Sequence, residues 1–311
     1  MAERNQAAEN KKKLSLIAVP FGLGAGRPGT EEGPETMMQV GLLRQLRKTA
    51  YEIVGEHKVK CPQKPTAASA KDSSLKHLPE VKEMSRQVAD LVAQEVSKGS
   101  MPLVLGGDHS VTIGALAGLA KEIASVGVIY FDAHAGLNTE ENTPTGKMGG
   151  MSLAVALGKA RLALTDITDG VSATAIKKEN VVLIGVRDVE PEERALILSE
   201  GISVFTMHEI DRMGIEKVIA KAVEIAGQGT DGIHVSFSAD CLDPMEAPGV
   251  GMQVPGGLTY REAHFACELL AETNRILSID VVEVNGMMDE SRRTARLAIG
   301  LIASLLGKRI L

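Results

Sequence analysis

The chain contains no tryptophan, five phenylalanines and three tyrosines, so aromatics make up only 3% of its 311 residues. Its core therefore has to be aliphatic, built from Leu, Ile, Val, Ala and Met. Cysteine is also sparse. Cys61, Cys241 and Cys267 are scattered and odd in number, which argues against a disulfide framework and suits a reducing, cytoplasmic compartment. An excess of positive charge is absent as well: Lys and Arg number 34 against 40 Asp and Glu, a net charge of −6. There is thus no basic footprint for nucleic acid. No stretch approaches the roughly 18 continuous apolar residues of a membrane span, and Met1–Lys13 lacks the apolar run of a signal peptide. What is present is ordinary globular composition, 44% hydrophobic and 24% charged, long enough for a sizeable core. The expected layout is a flexible tail over residues 1–13 and a single α/β domain over 14–311.

Short apolar, β-branched runs alternate with longer amphipathic stretches, the pattern of a parallel sheet with crossover helices. Expected strands are Leu14–Val19, Pro102–Leu105, Val126–Phe131, Val181–Gly185, Ile233–Phe237 and Ser278–Val284. Most are nearly continuously apolar, as helices on both faces of a sheet require. Helical patterns fall at about Glu80–Lys98, Val111–Ile123, Glu192–Glu200, Ile215–Ala226, Tyr260–Ala271 and Glu290–Leu306. Pro79 stands ahead of the first of these, where proline suits a helix start. Lys60–Lys76, polar and carrying two prolines, reads as a surface excursion. The fold class is α/β, a doubly wound parallel sheet with helices on both faces.

In such sheets ligands bind beyond the carboxyl ends of the strands, and four polar clusters fall at those ends. Leu105 precedes Gly106-Gly107-Asp108-His109-Ser110, and Phe131 precedes Asp132-Ala133-His134-Ala135-Gly136-Leu137-Asn138. Ser236-Phe237-Ser238-Ala239-Asp240 closes a third strand, and Glu283-Val284-Asn285 a fourth. Residues two apart on a strand point the same way, so Asp132 with His134, and Ser238 with Asp240, can each converge. Imidazole plus carboxylate is a ligand set for a first-row divalent cation. His57, His77, His208, His234 and His264 match no motif and are read as surface or packing residues. Met148, Met151, Met252, Met287 and Met288 are read as gap fillers.

These segments, with Gly185-Val186-Arg187-Asp188-Val189-Glu190-Pro191 and Gly256-Gly257-Leu258-Thr259-Tyr260-Arg261-Glu262, resemble the ureohydrolase family, specifically arginases, over nearly the whole chain. The resemblance implies a three-layer sandwich, homotrimers or homohexamers, and hydrolysis of a guanidinium to urea at two manganese ions. Hydroxide shared by two cations is a strong nucleophile near neutral pH. Carried over residue by residue, it implies metal ligands at His109, Asp132, His134 and Asp240, with Glu283 beside them. Gly136 and Ser238 stand where the family pattern has further carboxylate ligands. Asn138 and Thr145 match positions that bind an amino acid's α-carboxylate, Glu190 one that addresses its α-amino group, and Glu193 a nearby acid. Thr145-Gly146-Lys147-Met148-Gly149-Gly150 places Lys147 where the family pattern has Asn and Gly149 where it has His.

Three expectations follow. The first is a family member with an incomplete binuclear site, no metal or one weakly held divalent ion, and little or no arginase activity, still binding arginine- or ornithine-like molecules. The second is an active arginase-type hydrolase using one metal at Asp132, His134 and Asp240. The third is a repurposed pocket in which Lys147 acts catalytically, replaces a metal's charge beside Asp132, Asp240 and Glu283, or pairs with a ligand carboxylate.

Overall fold

The computed structural model describes residues 11–65, 75–170 and 175–309. Eight strands form one sheet: β1 Lys12–Val19, β2 Tyr51–Lys58, β3 Met101–Gly106, β4 Val126–Phe131, β5 Ile176–Val186, β6 Ser203–Thr206, β7 Gly232–Ser238 and β8 Ile276–Val282. Their spatial order is β2-β1-β3-β8-β7-β4-β5-β6, and every pairing is parallel. Ten helices accompany them among the described residues: α1 Gly33–Gln39, α2 Leu42–Leu46, α3 Leu78–Ser97, α4 Val111–Glu122, α5 Ser152–Ala156, α6 Pro191–Glu200, α7 Met207–Met213, α8 Ile215–Gly227, α9 Tyr260–Glu272 and α10 Arg293–Leu305.

Alternation along the strands builds two aliphatic layers. Leu103, Leu105, Ile129 and Phe131 join the side chains of α8, α9 and α10 on one face. Val104, Val128 and Tyr130 join those of α3, α4 and α5 on the other. Successive strand residues point to opposite faces, so each central strand reads as a continuous apolar run because both faces are covered. The expected doubly wound sheet is therefore the fold observed, and all six expected strands are present.

Two strands were not expected, and both lie at the sheet's edges. In β2 alternate residues are exposed, with Glu52, Glu56 and Lys58 among them, so it lacks the apolar run that marks a central strand. Such charges also blunt an open edge. The other, β6, has four residues, all half-buried. At the N-terminus β1 begins at Lys12, so Lys12 and Lys13 are strand residues rather than tail; residues 1–10 lie outside the described residues. So does 66–74 within the expected surface excursion. At the other end, left-handed backbone at Ser291 and Arg292 separates a short turn from α10, which starts at Arg293 rather than Glu290. Among the described residues no helix is long and apolar enough to cross a membrane.

Candidate metal and substrate site

The four strands that end in polar clusters are neighbours, in the order β3-β8-β7-β4. Their carboxyl ends open on a cavity of about 150 Å³ lined by His109, Asp132, His134, Asp240 and Glu283 at its floor. Gly24–Gly26 and the 143–150 segment form the opposing lips. The two lips are tied together, since Gly149 N donates to Gly24 O at 3.1 Å.

Asp132, buried at the end of β4, is the hub. One carboxylate oxygen accepts from the backbone N–H of His134 and lies 3.1 Å from its Nδ1. The other lies 2.7 Å from His109 Nδ1. Burial alone would raise this carboxyl's pKa, but the hydrogen bonds and charges of both imidazoles hold it well below the usual range. Burial likewise opposes charge on His134, yet its bond to Asp132 and the carboxylates of Asp132 and Asp240 lift its pKa to about 9. Asp240 lies 3.8 Å from His134 Nδ1. Burial and the neighbouring Glu283 and Asp132 carboxylates push its pKa well up. It accepts from Met252 N at 3.1 Å.

One donor atom from each of Asp132, His134 and Asp240 lies within 4.8 Å of the others. His134 Nε2 is buried without a hydrogen-bond partner. Two carboxylates and an imidazole at this spacing fit a hard or borderline divalent cation. His109 stays outside that trio.

His109 is directed instead into the sheet. Its Nε2 lies 2.9 Å from Ser236 Oγ, and Ser236 donates to Asp280 Oδ1 at 2.7 Å. Because that hydroxyl proton is committed to Asp280, His109 Nε2 is the donor in its own bond. Asp280 also meets His234 Nε2 at 3.0 Å, and His234 Nδ1 meets Ser278 Oγ at 3.0 Å. His234 is thus not a surface or passive packing residue but part of a fully buried polar chain behind the site. Burying so many polar groups is tolerable because each has a partner. A fixed second layer of this kind orients the groups in front of it. Sequence reading names Ser236 in the third strand's polar cluster without a role and does not single out Tyr130 or Asp280; Tyr130 sits two positions from Asp132 and Asp280 on the strand beside Ser236, which is the only signal they offer.

Glu283 adopts left-handed backbone (φ 64°), unusual for a non-glycine residue and frequent at functional positions. Its Oε1 accepts from His109 N at 2.8 Å. A Cβ on Gly251 would fall 1.9 Å from its Oε2, so only glycine leaves the carboxylate its place. Burial and the Asp108 charge push the Glu283 carboxyl up to about 7. Asp108 itself spends its oxygens on Gly24 N, at 2.7 Å, and on Ser110.

The two positions without the expected carboxylates are both filled. Ser238 Oγ accepts from Asp240 N at 3.2 Å and starts the turn that carries Asp240. Gly136 has φ 66°, and a Cβ there would fall 2.7 Å from the Tyr130 hydroxyl.

The substrate-side residues divide. Asn138 lines the cavity, and its Oδ1 is buried without a partner. Thr145 is exposed at the lip, where its Oγ1 accepts from Lys147 N. Glu190 is exposed at the start of α6. Glu193 is buried and accepts from Leu137 N at 2.8 Å and Glu190 N at 3.1 Å, so it braces the 132–138 segment. Asp188, absent from the expected set, lies 3.9 Å from His134 Nε2. Lys147 donates to the Gly26 carbonyl at 2.7 Å; it does not replace a cation among Asp132, Asp240 and Glu283. Of the expected gap fillers Met148 and Met151 are fully buried, whereas Met252 and Met287 are exposed.

Fold and site together define a parallel α/β protein whose strand ends gather imidazoles and carboxylates around a small polar cavity. The chain belongs to the arginase family, whose model matches residues 12–307. It is 43% identical to the arginase of Bacillus caldovelox over 300 residues, covering 96% of this chain and 100% of that one. It is 41% identical to the arginase of Brevibacillus brevis, covering 96% and 99%. Among solved structures, the arginase from Bacillus cereus superposes with a TM-score of 0.89 at 42% identity, covering 96% of this chain and 100% of that one. These relatives overturn the expectation of a chain with little or no arginase activity. Proteins 40 to 43% identical over essentially their whole length are named arginases, and the neighbours in fold at the same identity are arginases too.

Proposed function

We propose that this chain is an arginase-type hydrolase that releases urea from arginine or a closely related guanidino compound, with one divalent cation, manganese by preference, held by Asp132, His134 and Asp240. The observation that carries the reading is the convergence of those three donors in the cavity floor. The full-length likeness to arginases supports it.

A bound cation would supply Lewis-acid polarisation and a depressed water pKa at the floor. The chain's own residues do the rest. Asp132, Asp240 and Glu283 form an acidic floor that attracts a guanidinium. Glu283, in the floor beside Asp132 and Asp240, is placed to exchange a proton with the reacting nitrogen. The Ser236 and Asp280 chain fixes the imidazole of His109 against Asp132. At the lip, Asn138, Thr145 and Lys147 offer donors to a carboxylate, and Asp188 and Glu190 offer acceptors to an ammonium. An amino-acid ligand is the natural fit, as in the Entamoeba histolytica arginase crystallised with L-ornithine. Glu193 is a brace in this scheme. Cytoplasmic residence and assembly as a homotrimer or homohexamer belong to the same proposal, the latter read by light scattering.

The test is elemental analysis after dialysis against manganese, beside a urea-release assay with arginine. The expected result is about one metal per chain, in the manner of a site with one complete ligand set, with urea formed and both lost in Asp240→Asn. Metal bound with no urea from any guanidino compound would sink the reading.

A further inference from the structure

Beside the catalytic cavity lies a second and larger one, of about 510 Å³, sharing Ala25, Gly26 and Lys147 with it. Its charged lining is one-sided. Among the described residues Arg27, Lys64, Lys76 and Lys147 line it, with His77, against the one acid Glu31. The chain as a whole carries −6, so this concentration runs against the overall balance. Glu31 is itself engaged, accepting from Gly29 N at 2.8 Å. Among the described residues Arg27, Lys64 and Lys76 have no ion-pair partner.

Two further features point the same way. The twenty-residue helix α3 starts at the rim, with His77 as its N-cap in left-handed backbone and no side-chain hydrogen bond capping the first turn. The positive end of the helix dipole lies at the same rim, where Glu80 of the first turn pairs with His77 at 3.8 Å. Lys76 N donates to Gly146 O at 2.7 Å, fixing the Lys76 backbone next to the segment that carries Lys147. Burial and the charge of Lys76 depress the Lys147 pKa, against an opposing pull from the Asp108 carboxylate. Like charges held in a concave, low-dielectric wall focus the field on the cavity and favour an anion there.

We infer that this cavity is a binding site for a small multiply charged anion, a phosphate or a dicarboxylate, entering beside Lys147. The anion is either free in solution or carried on the far end of a molecule whose other end occupies the catalytic cavity. The site does not depend on the reaction proposed above.

Calorimetric titration of the chelator-treated full chain with inorganic phosphate and with succinate, at low salt, tests it without turnover. The expected result is saturable binding that weakens about tenfold in Lys76→Glu and again in Lys64→Glu, both exposed positions where charge reversal acts mainly through the field. No saturable heat with either anion would overturn the inference. So would equal affinity in the wild type and the double variant. Phosphate that competes with the guanidino substrate assigns the cavity to the substrate's far end; phosphate that binds without competing assigns it to a free anion. A chain that binds phosphate but forms no urea would count against the reaction and leave the site standing.

Discussion

The phenol ring of Tyr130 lies flat against the imidazole of His109, with centroids 4.4 Å apart and planes 6° from parallel. Its hydroxyl is 3.1 Å from His109 Nδ1 and 2.9 Å from Ser152 Oγ. That hydroxyl also occupies the ground where a side chain at position 136 would begin. Tyr130, His109, Ser152 and Gly136 form one packed unit, and a mutant cycle at Tyr130 and Gly136 reads the coupling of those two. Tyr130→Phe keeps the stack and loses the hydroxyl's bonds, costing about 1–2 kcal/mol. Gly136→Ala imposes left-handed backbone and a clash, costing about 1–3 kcal/mol. In the double variant the clash is relieved, so the cost in urea denaturation should fall short of the sum by about 0.5 kcal/mol or more. Strict additivity would show that the hydroxyl and position 136 do not meet.

Much of this was legible beforehand, and the exceptions have physical causes. Central strands announce themselves because both faces are apolar, as in Val126–Phe131, whose bounds in the structure match those read from the sequence. The edge strand Tyr51–Lys58 does not, since half its side chains meet solvent. That Asp132, His134 and Asp240 converge depends on β4 and β7 being neighbours, which strand-end chemistry suggests but chain order does not reveal. Roles assigned by type fared worse. Glu193 and Asp108 look like site acids and spend their oxygens on backbone N–H groups. His234 matches no motif because its partners, Ser278 and Asp280, lie more than forty residues away in the chain.

Arg187 plays a similar long-range role. Its guanidinium donates to the carbonyls of Gly185, Asp240, Cys241, Leu242, Val254 and Pro255. It thereby pins the segment bearing Asp240 to the 254–255 turn. A lysine has neither the planar fork nor enough donors for this set. Arg187→Lys should cost about 2–4 kcal/mol, several charged hydrogen bonds at about 1.5–3 kcal/mol each being only partly replaced. Manganese affinity should fall with it, because Asp240 loses its anchor. Unchanged stability by chemical denaturation would show that the fork carries little of the load.

Glu193 makes a second brace, between α6 and the loop that carries Asn138. Glu193→Ala leaves the N–H groups of Leu137 and Glu190 unpaired near the cavity, a cost of about 1–3 kcal/mol for each group that water cannot reach. The loosened segment bears a lip residue rather than the metal trio, so KM for arginine should rise more than kcat falls. A variant with kcat lost at constant KM would place Glu193 in the chemistry instead.

The raised pKa values of His134 and Glu283 set the pH response of the metal-free chain. Folding lifts His134 from 6.5 to about 9 and Glu283 from 4.5 to about 7. Each group therefore holds its proton more tightly in the folded state than in the unfolded one. The stability this contributes is complete below the unfolded pKa and is lost as pH rises through the folded one. In chelator, the melting temperature should fall from about pH 4.5 through 7 by way of Glu283, and from 6.5 through 9 by way of His134. A metal ligand has to be deprotonated, so cation affinity should climb over the His134 range. Manganese stabilises by RT ln(1 + [L]/Kd), and its increment should widen with pH where the metal-free protein weakens. Thermal unfolding in chelator and in manganese, across pH 5 to 9, separates the two curves. His134→Asn should flatten the second interval of the first curve and remove most of the manganese increment. A manganese increment that does not change with pH would mean that the cation binds without displacing a proton from His134.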